Sequence, residues 1–287
     1  MDFLFDYKKL FEEKLESFIS NSAINIDIKN SLEYSLMNGG KRLRPWMINR
    51  ISELLKINDS IAVDKLSFSI EILHTTSLIH DDMPEIDNSS LRRGQKTNHI
   101  VFGDYLSLLS GDYGFVFPLK IISDLKIDSN TIKNMLFSSF STSTLKLIEG
   151  ETEDVLFEKL GKSPSKEEII NMYRKKTGEL FGLCFSIPFI LKDKTNNLDA
   201  IYESGLKFGV SFQIYDDLKD IYSTEDELGK NINTDDNKLT LLKIIGVEES
   251  KRFADNLFEE VGNILKENDL EDFYYDLIKI KSYIEKK

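Results

Sequence analysis

Apolar residues recur three or four positions apart along most of the chain, the spacing that lines one face of an α-helix. In LKFGVSFQIYDDLKDIY (Leu206–Tyr222), Ile214, Leu218 and Ile221 form one stripe. Gln213, Asp216, Asp217 and Asp220 fall on the adjacent stripe at about 100° per residue. The opening MDFLFDYKKLFEEKLESF is amphipathic and charged, and SPSKEE spaces Ser165 and Glu168 as a capping box. Gly39 and Gly40 precede a helix expected to start near Pro45, a residue suited to a first helical turn. Only five prolines and fifteen glycines interrupt these segments, and few stretches alternate with the two-residue period of strands. The pattern predicts an all-α protein, a single domain over 1–287, with polar loops near Asp193–Asn197 and Ser223–Asn237.

Composition narrows the function. A chain of 287 residues that is 41% hydrophobic and 30% charged folds around a sizeable core. Its net charge of −12 repels a phosphate backbone, so no nucleic-acid partner is expected, and any anionic substrate must be met by local positive charge. Cys184 is the only cysteine, which fits a reducing, cytoplasmic setting. The start lacks the basic-then-apolar order of a signal peptide. The longest apolar run, FGLCFSIPFIL (Phe181–Leu191), is too short to span a bilayer, so no stable membrane insertion is expected.

Against this acidic background two clusters stand out. LIHDDMPEIDNSSLRRG (Leu78–Gly94) gathers Asp81, Asp82 and Asp87, then Arg92 and Arg93. Pro84 tends to end the helix carrying Asp81, which lets Asp87 fold back towards Asp81 and Asp82. Asp216, Asp217 and Asp220 make the second cluster. Such acids are often only a solvated surface, yet two sets on apolar-flanked helices suit Mg²⁺, which takes oxygen ligands, keeps waters and binds substrate phosphates. The bases supply the other half. Arg92 and Arg93 are adjacent and cannot easily point at one group, so they could serve two anions. Lys41 and Arg44 of GGKRLRP are about one turn apart. Lys176 and Lys230 complete the candidates.

GGKRLRP, HTTSLIHDDMPEIDNSSLRRGQKTNH, KTG, FQIYDDLKD and LGK, in this order from about Asn38 to Thr240, resemble the trans-prenyl diphosphate synthases. The resemblance implies a helical bundle around a central cavity, the isoprenoid synthase fold, as a homodimer. It implies that Asp81, Asp82, Asp87, Asp216, Asp217 and Asp220 hold three Mg²⁺ against an allylic diphosphate, helped by Arg92, Lys176 and Lys230. Lys41, Arg44, His74 and Arg93 match residues that grip isopentenyl diphosphate, and Thr177 and Gln213 match polar groups near the reacting carbons. The product expected is farnesyl or geranylgeranyl diphosphate.

Product length is set in such a tunnel. Ser77 lies one turn, about 5.4 Å, below Asp81, with Thr76 beside it. Threonine leaves room for the twenty-carbon product, whereas Tyr113 and Phe117 are large enough to close the passage, and both lengths stay open. Three departures from the family pattern are Ser89 and Ser90 for acids, Glu151 for Gln, and Lys219 for an apolar residue. Three rival readings compete with this one. Glu71 and His74 have the spacing of half a di-iron site, but no second pair exists. A non-catalytic relative would have lost the second aspartate set or Lys176. A terpene cyclase would not need both GGKRLRP and RRG.

Overall fold

The computed structural model of the protein describes residues 2–159, 161, 163–222 and 239–285. The described residues fall into two compact units, one of 2–46 and 64–126 and another of 47–63, 127–222 and 239–285. Helices dominate both, as the periodicity predicts.

The first unit is built on α1 (Asp2–Ser20), α2 (Ile26–Met37), the start of α3 (Leu43–Leu54) and most of α4 (Ser60–Asp81). A two-stranded hairpin, β1 (Leu91–Arg92) and β2 (Gln95–Lys96), leads into α5 (Asn98–Phe102) and α6 (Asp104–Ser123). Its core joins Phe11, Leu15 and Ile19 with Leu32 and Leu36, Phe68, Ile72 and Ile79, and Phe117 and Ile121. Spacings of four and seven residues within these sets stack each on one helix face, so four helices turn apolar stripes towards a common centre. Asn98 pins this unit with polar bonds. Its amide donates to the Ser31 carbonyl and to Ser35, and its oxygen accepts from the Ser31 and Ser107 hydroxyls. All four hydrogen-bonding positions of a buried amide are thereby filled.

The second unit holds α7 (Asn130–Lys159), α8 (Lys166–Tyr173), a π-helical turn (Arg174–Gly178), α9 (Glu179–Leu191) and α10 (Leu198–Tyr222). It closes with α11 (Leu241–Ile245), α12 (Val247–Glu267) and α13 (Glu271–Glu285). Ser165 and Glu168 form the expected capping box of α8. The run Phe181–Leu191 is the interior α9, buried on every side up to Ile190 and packed against α7 and α10. α9 and α10 approach closely because glycines face each other. A Cβ on Gly205 would lie 2.6 Å from the Gly182 Cα, and one on Gly209 2.5 Å from the Gly178 Cα. Phe181 and Phe185 then pack on Phe208, edge-on and tilted respectively. Among the described residues no helix is long and apolar enough to cross a membrane.

Candidate active site

In the first unit α4 ends at Asp81, and the chain folds back on that end as Pro84 foretells. The Asp87 amide donates to the Asp81 carbonyl at 3.0 Å and the Ser89 amide to the Asp82 carbonyl at 3.2 Å. Asp81 and Asp82 are nearly buried, 8% and 4% exposed. Arg92 reaches both: Nε donates to the Asp82 oxygens at 2.8 and 2.7 Å, and an Nη donates to Asp81 at 2.8 Å. Burial works against the Arg92 charge, but the bond to Asp82 and the fields of Asp81, Asp82 and Asp87 outweigh it and raise its pKa. Burial likewise pushes the Asp82 carboxyl above its ordinary range despite Arg92, with Asp81 and Asp87 adding like charge.

The adjacent Arg93 points elsewhere, and the backbone is the reason. Arg93 and Gly94 connect β1 to β2 with φ of 54° and 77°. Two positive φ angles in a two-residue hairpin loop are what a type I′ turn requires. Thr97 and Tyr34 secure the hairpin by donating to the Ser89 and Lys96 carbonyls. Across the turn Arg93 donates to the Gly39 carbonyl at 2.6 Å, and its guanidinium lies against Gly40, where a Cβ would come within 2.8 Å. Arg44 donates to His74 Nε2 at 3.3 Å. Burial, then Arg44 and Arg93, drive the His74 pKa well down, so the ring is a neutral acceptor with its proton on Nδ1. Arg44, His74 and Arg93 therefore lie near the Gly-Gly entry that precedes Lys41, while Arg92 rests on its aspartates.

The Thr76 level of α4 faces α6. A Cβ on Gly114 would collide with Thr76 Oγ1, and one on Gly111 with the His80 ring. Thr76 is fully buried, and among the described residues its hydroxyl has no hydrogen-bond partner. Ser77 donates to the His74 carbonyl. On α6, Tyr113 pairs with Phe117 at 5.3 Å between ring centroids, and Phe117 stacks on Phe18 of α1 at 6.2 Å. His80 is bonded to the Leu108 carbonyl at 3.1 Å.

In the second unit the π-helical turn carries Lys176 and Thr177. Single π turns inside α-helices occur frequently at functional sites because the extra residue re-aims a side chain. Gly150 of α7 makes room for it, since a Cβ there would collide with the Lys176 backbone nitrogen. Lys176 Nζ pairs with Glu151 at 2.9 Å and Asp154 at 2.6 Å, so the departure at Glu151 supplies a carboxylate to Lys176. Thr177 donates to Gln213 Oε1 at 2.8 Å, and Gln213 Nε2 donates to Asp217 Oδ1 at 2.8 Å. Tyr173 donates to the other Asp217 oxygen and accepts from the Leu241 amide at 3.1 Å. Burial, with Asp216 and Asp220 adding like charge, pushes Asp217 up to about 7 against these two donors. Ile214 and Leu218 are buried on the neighbouring stripe as expected. The Ile221 side chain and Lys230 lie outside the described residues, as does the loop expected near Ser223–Asn237.

Tyr173, Gly150 and Asp154 are absent from the sequence reading, although Gly150 and Asp154 flank Glu151 in LIEGETED. Both acid sets suit a hard cation: every donor is a carboxylate oxygen, and burial and mutual repulsion make added positive charge favourable. Among the described residues no three His, Cys, Asp or Glu side chains are gathered as a finished cage.

The polyprenyl synthetase family model matches residues 26–277. A geranylgeranyl diphosphate synthase of Cyanophora paradoxa is 35% identical, over 91% of this chain and 88% of its own. A farnesyl diphosphate synthase of Bacillus subtilis is 29% identical, covering 98% of both. The crystal structure of a geranyltranstransferase from Thermotoga maritima superposes with a TM-score of 0.85 at 34% identity over 98% of each chain. A Helicobacter pylori geranyltransferase, solved with magnesium and isoprenyl diphosphate, gives a TM-score of 0.81 at 25% identity over 96% of each. The chain belongs to the polyprenyl synthetase family and has the isoprenoid synthase fold. It is a prenyl diphosphate synthase, a transferase of the short-chain trans type.

Proposed function

We propose that this protein condenses isopentenyl diphosphate with dimethylallyl, geranyl or farnesyl diphosphate, giving farnesyl or geranylgeranyl diphosphate and releasing diphosphate. The observation that supports this reading is the I′ turn at Arg93–Gly94, which leaves Arg92 bonded to Asp81 and Asp82 and Arg93 bonded to the Gly39 carbonyl, so that each arginine can meet its own anion. A synthase must hold two diphosphates at once, one to leave and one to stay, whereas a cyclase holds one.

Asp81, Asp82, Asp87, Asp216, Asp217 and Asp220 are the proposed ligands of three Mg²⁺. When bound, Mg²⁺ neutralises the diphosphate leaving group as the C–O bond stretches. Arg92, Lys176 and Lys230 add positive charge to the same leaving group. Arg92 and Lys176 now rest on carboxylates, so an incoming diphosphate would take over donors that are already charged and oriented. Thr177 and Gln213 offer their oxygens to the allylic cation, and their mutual bond fixes both dipoles. Lys41, Arg44, His74 and Arg93 hold isopentenyl diphosphate so that its double bond attacks that cation. The proton then lost passes to the departing diphosphate, and no protein nucleophile is needed. Thr76, Ser77, Tyr113 and Phe117 line the hydrocarbon passage and set the number of carbons.

The homodimer belongs to the same proposal. Tyr105, Leu108, Leu109 and Val116 form an exposed apolar stripe on α6, with Tyr105 72% and Val116 63% exposed. Such a stripe on one helix marks an association surface. A single domain is supported by the unbroken family match over 26–277, and a cytoplasmic setting by the lone, buried Cys184.

The test is incubation of the protein with Mg²⁺, isopentenyl diphosphate and each allylic diphosphate, followed by chromatography of the prenyl product. An elongated product with released diphosphate is expected. Cyclised hydrocarbon, or no turnover with any allylic partner, would replace this reading with a cyclase or a regulatory subunit.

A further inference from the structure

Arg42 sits in the middle of GGKRLRP, between two residues of the proposed isopentenyl diphosphate site, yet its side chain has no exposed surface. Its backbone is left-handed, with φ of 51°. That conformation is uncommon outside glycine and persists where the surroundings over-determine it. Here they do. Nη1 donates to Glu71 at 2.6 Å, Nε donates to Glu12 at 2.9 Å, and Nη2 donates to the Leu36 carbonyl. Glu71 is 3% exposed, and Glu12 is partly solvated.

Glu12 also faces Lys8 at 3.9 Å, whereas the carboxylate of Glu71 is buried, an expensive arrangement unless further cations stand nearby. They do. Arg44 is bonded to His74, and Arg93 to the Gly39 carbonyl. Glu71 opposes the desolvation and like-charge crowding that lower the Arg93 pKa. Glu71 thus spends its carboxylate on Arg42, while His74 faces Arg44, which removes the Glu71–His74 pair from any di-iron site.

We propose that Glu71, with Glu12 as second anchor, is a positioning residue for the homoallylic diphosphate. By holding Arg42 buried and left-handed, it sets the directions in which Lys41 and Arg44 leave the backbone. This rests on the reading that Lys41, Arg44, His74 and Arg93 receive isopentenyl diphosphate. Charge alone makes the opposite forecast, since removing a carboxylate beside an anion site tightens anion binding.

The experiment measures kcat and both KM values for Glu71→Gln, Glu12→Gln and Arg93→Ala, each first checked for a cooperative thermal transition. Loss of a charged hydrogen bond predicts that Glu71→Gln raises the KM for isopentenyl diphosphate about tenfold or more, with kcat and the allylic KM within about twofold. Glu12→Gln raises the same KM by a smaller factor. An isopentenyl diphosphate KM that is unchanged or lowered in folded Glu71→Gln overturns the proposal, as does an equal loss in kcat and both KM values. Should Glu71→Gln fail to fold, Glu12→Gln decides by the same criterion. Arg93→Ala separates the two levels. If it leaves that KM unchanged, the reading of the site falls and this inference with it. If it raises that KM while Glu71→Gln does not, the positioning role alone falls.

Discussion

The Tyr173 hydroxyl donates to one oxygen of Asp217 while Gln213 holds the other. A carboxylate crowded by Asp216 and Asp220 is thereby fixed in direction before any cation arrives. Groups that orient a metal ligand typically contribute ten- to a hundredfold to metal affinity. Tyr173→Phe is therefore expected to raise the Mg²⁺ concentration for half-maximal turnover about tenfold at neutral pH. A Mg²⁺ titration of product formation checks this, and an unchanged midpoint would separate Tyr173 from metal binding.

Asp217→Ala removes the ligand itself. Turnover is expected to fall by about a thousandfold or more, because the leaving group then loses part of its charge neutralisation. Wild-type rates in this variant would take the α10 acids out of the mechanism.

The π-helical turn depends on a glycine of another helix. Gly150→Ala places a methyl group against the Lys176 backbone. Overpacking of this kind destabilises by about 1–3 kcal/mol. A chain of this size should then melt several degrees lower, at about 2–4 °C per kcal/mol. Displacement of Lys176 and Thr177 should lower kcat as well. Scanning calorimetry and rate measurement test both parts.

Product length should respond to the aromatic residues of α6. Phe117→Ala opens space beside Tyr113 and Phe18 and is expected to move the main product up by one five-carbon unit. Chromatography of the prenyl alcohols reads this directly, and an unchanged product would place the floor of the passage elsewhere.

His74 carries a stability signature. Its folded pKa lies well below 6.5, so as pH falls through about 6.5 the unfolded chain takes a proton that the folded chain refuses. The contribution is full above that pH and is lost as pH drops towards the folded pKa. Asp217, raised to about 7, acts in the opposite sense, but equally in both proteins compared. The urea midpoint of His74→Gln should fall less between about pH 7.5 and 5.5 than that of the wild type. Equal slopes would contradict a neutral, buried imidazole.

Much of the molecule was legible from local pattern. The helix carrying Gln213 to Asp220, the cap at Ser165, the return of Asp87 to the end of α4 and the divergence of Arg92 and Arg93 each depend on residues a few positions apart. The hairpin was less so, because strands of two residues carry no periodicity. Its only signal was Gly94 after two arginines. The pairing of Glu151 with Lys176 is not legible from local pattern, because the two stand 25 positions apart.

By itself the sequence determined the helices, which faces are apolar, and which residue types can meet a cation or a diphosphate. These follow from a fixed helical repeat and from the chemistry of single side chains. Only the tertiary structure decided that Arg92 covers Asp81 and Asp82, that Tyr173 holds Asp217, and that Glu71 buries Arg42. Such pairings join distant positions, and long-range packing selects them by burying charges that must then find a partner.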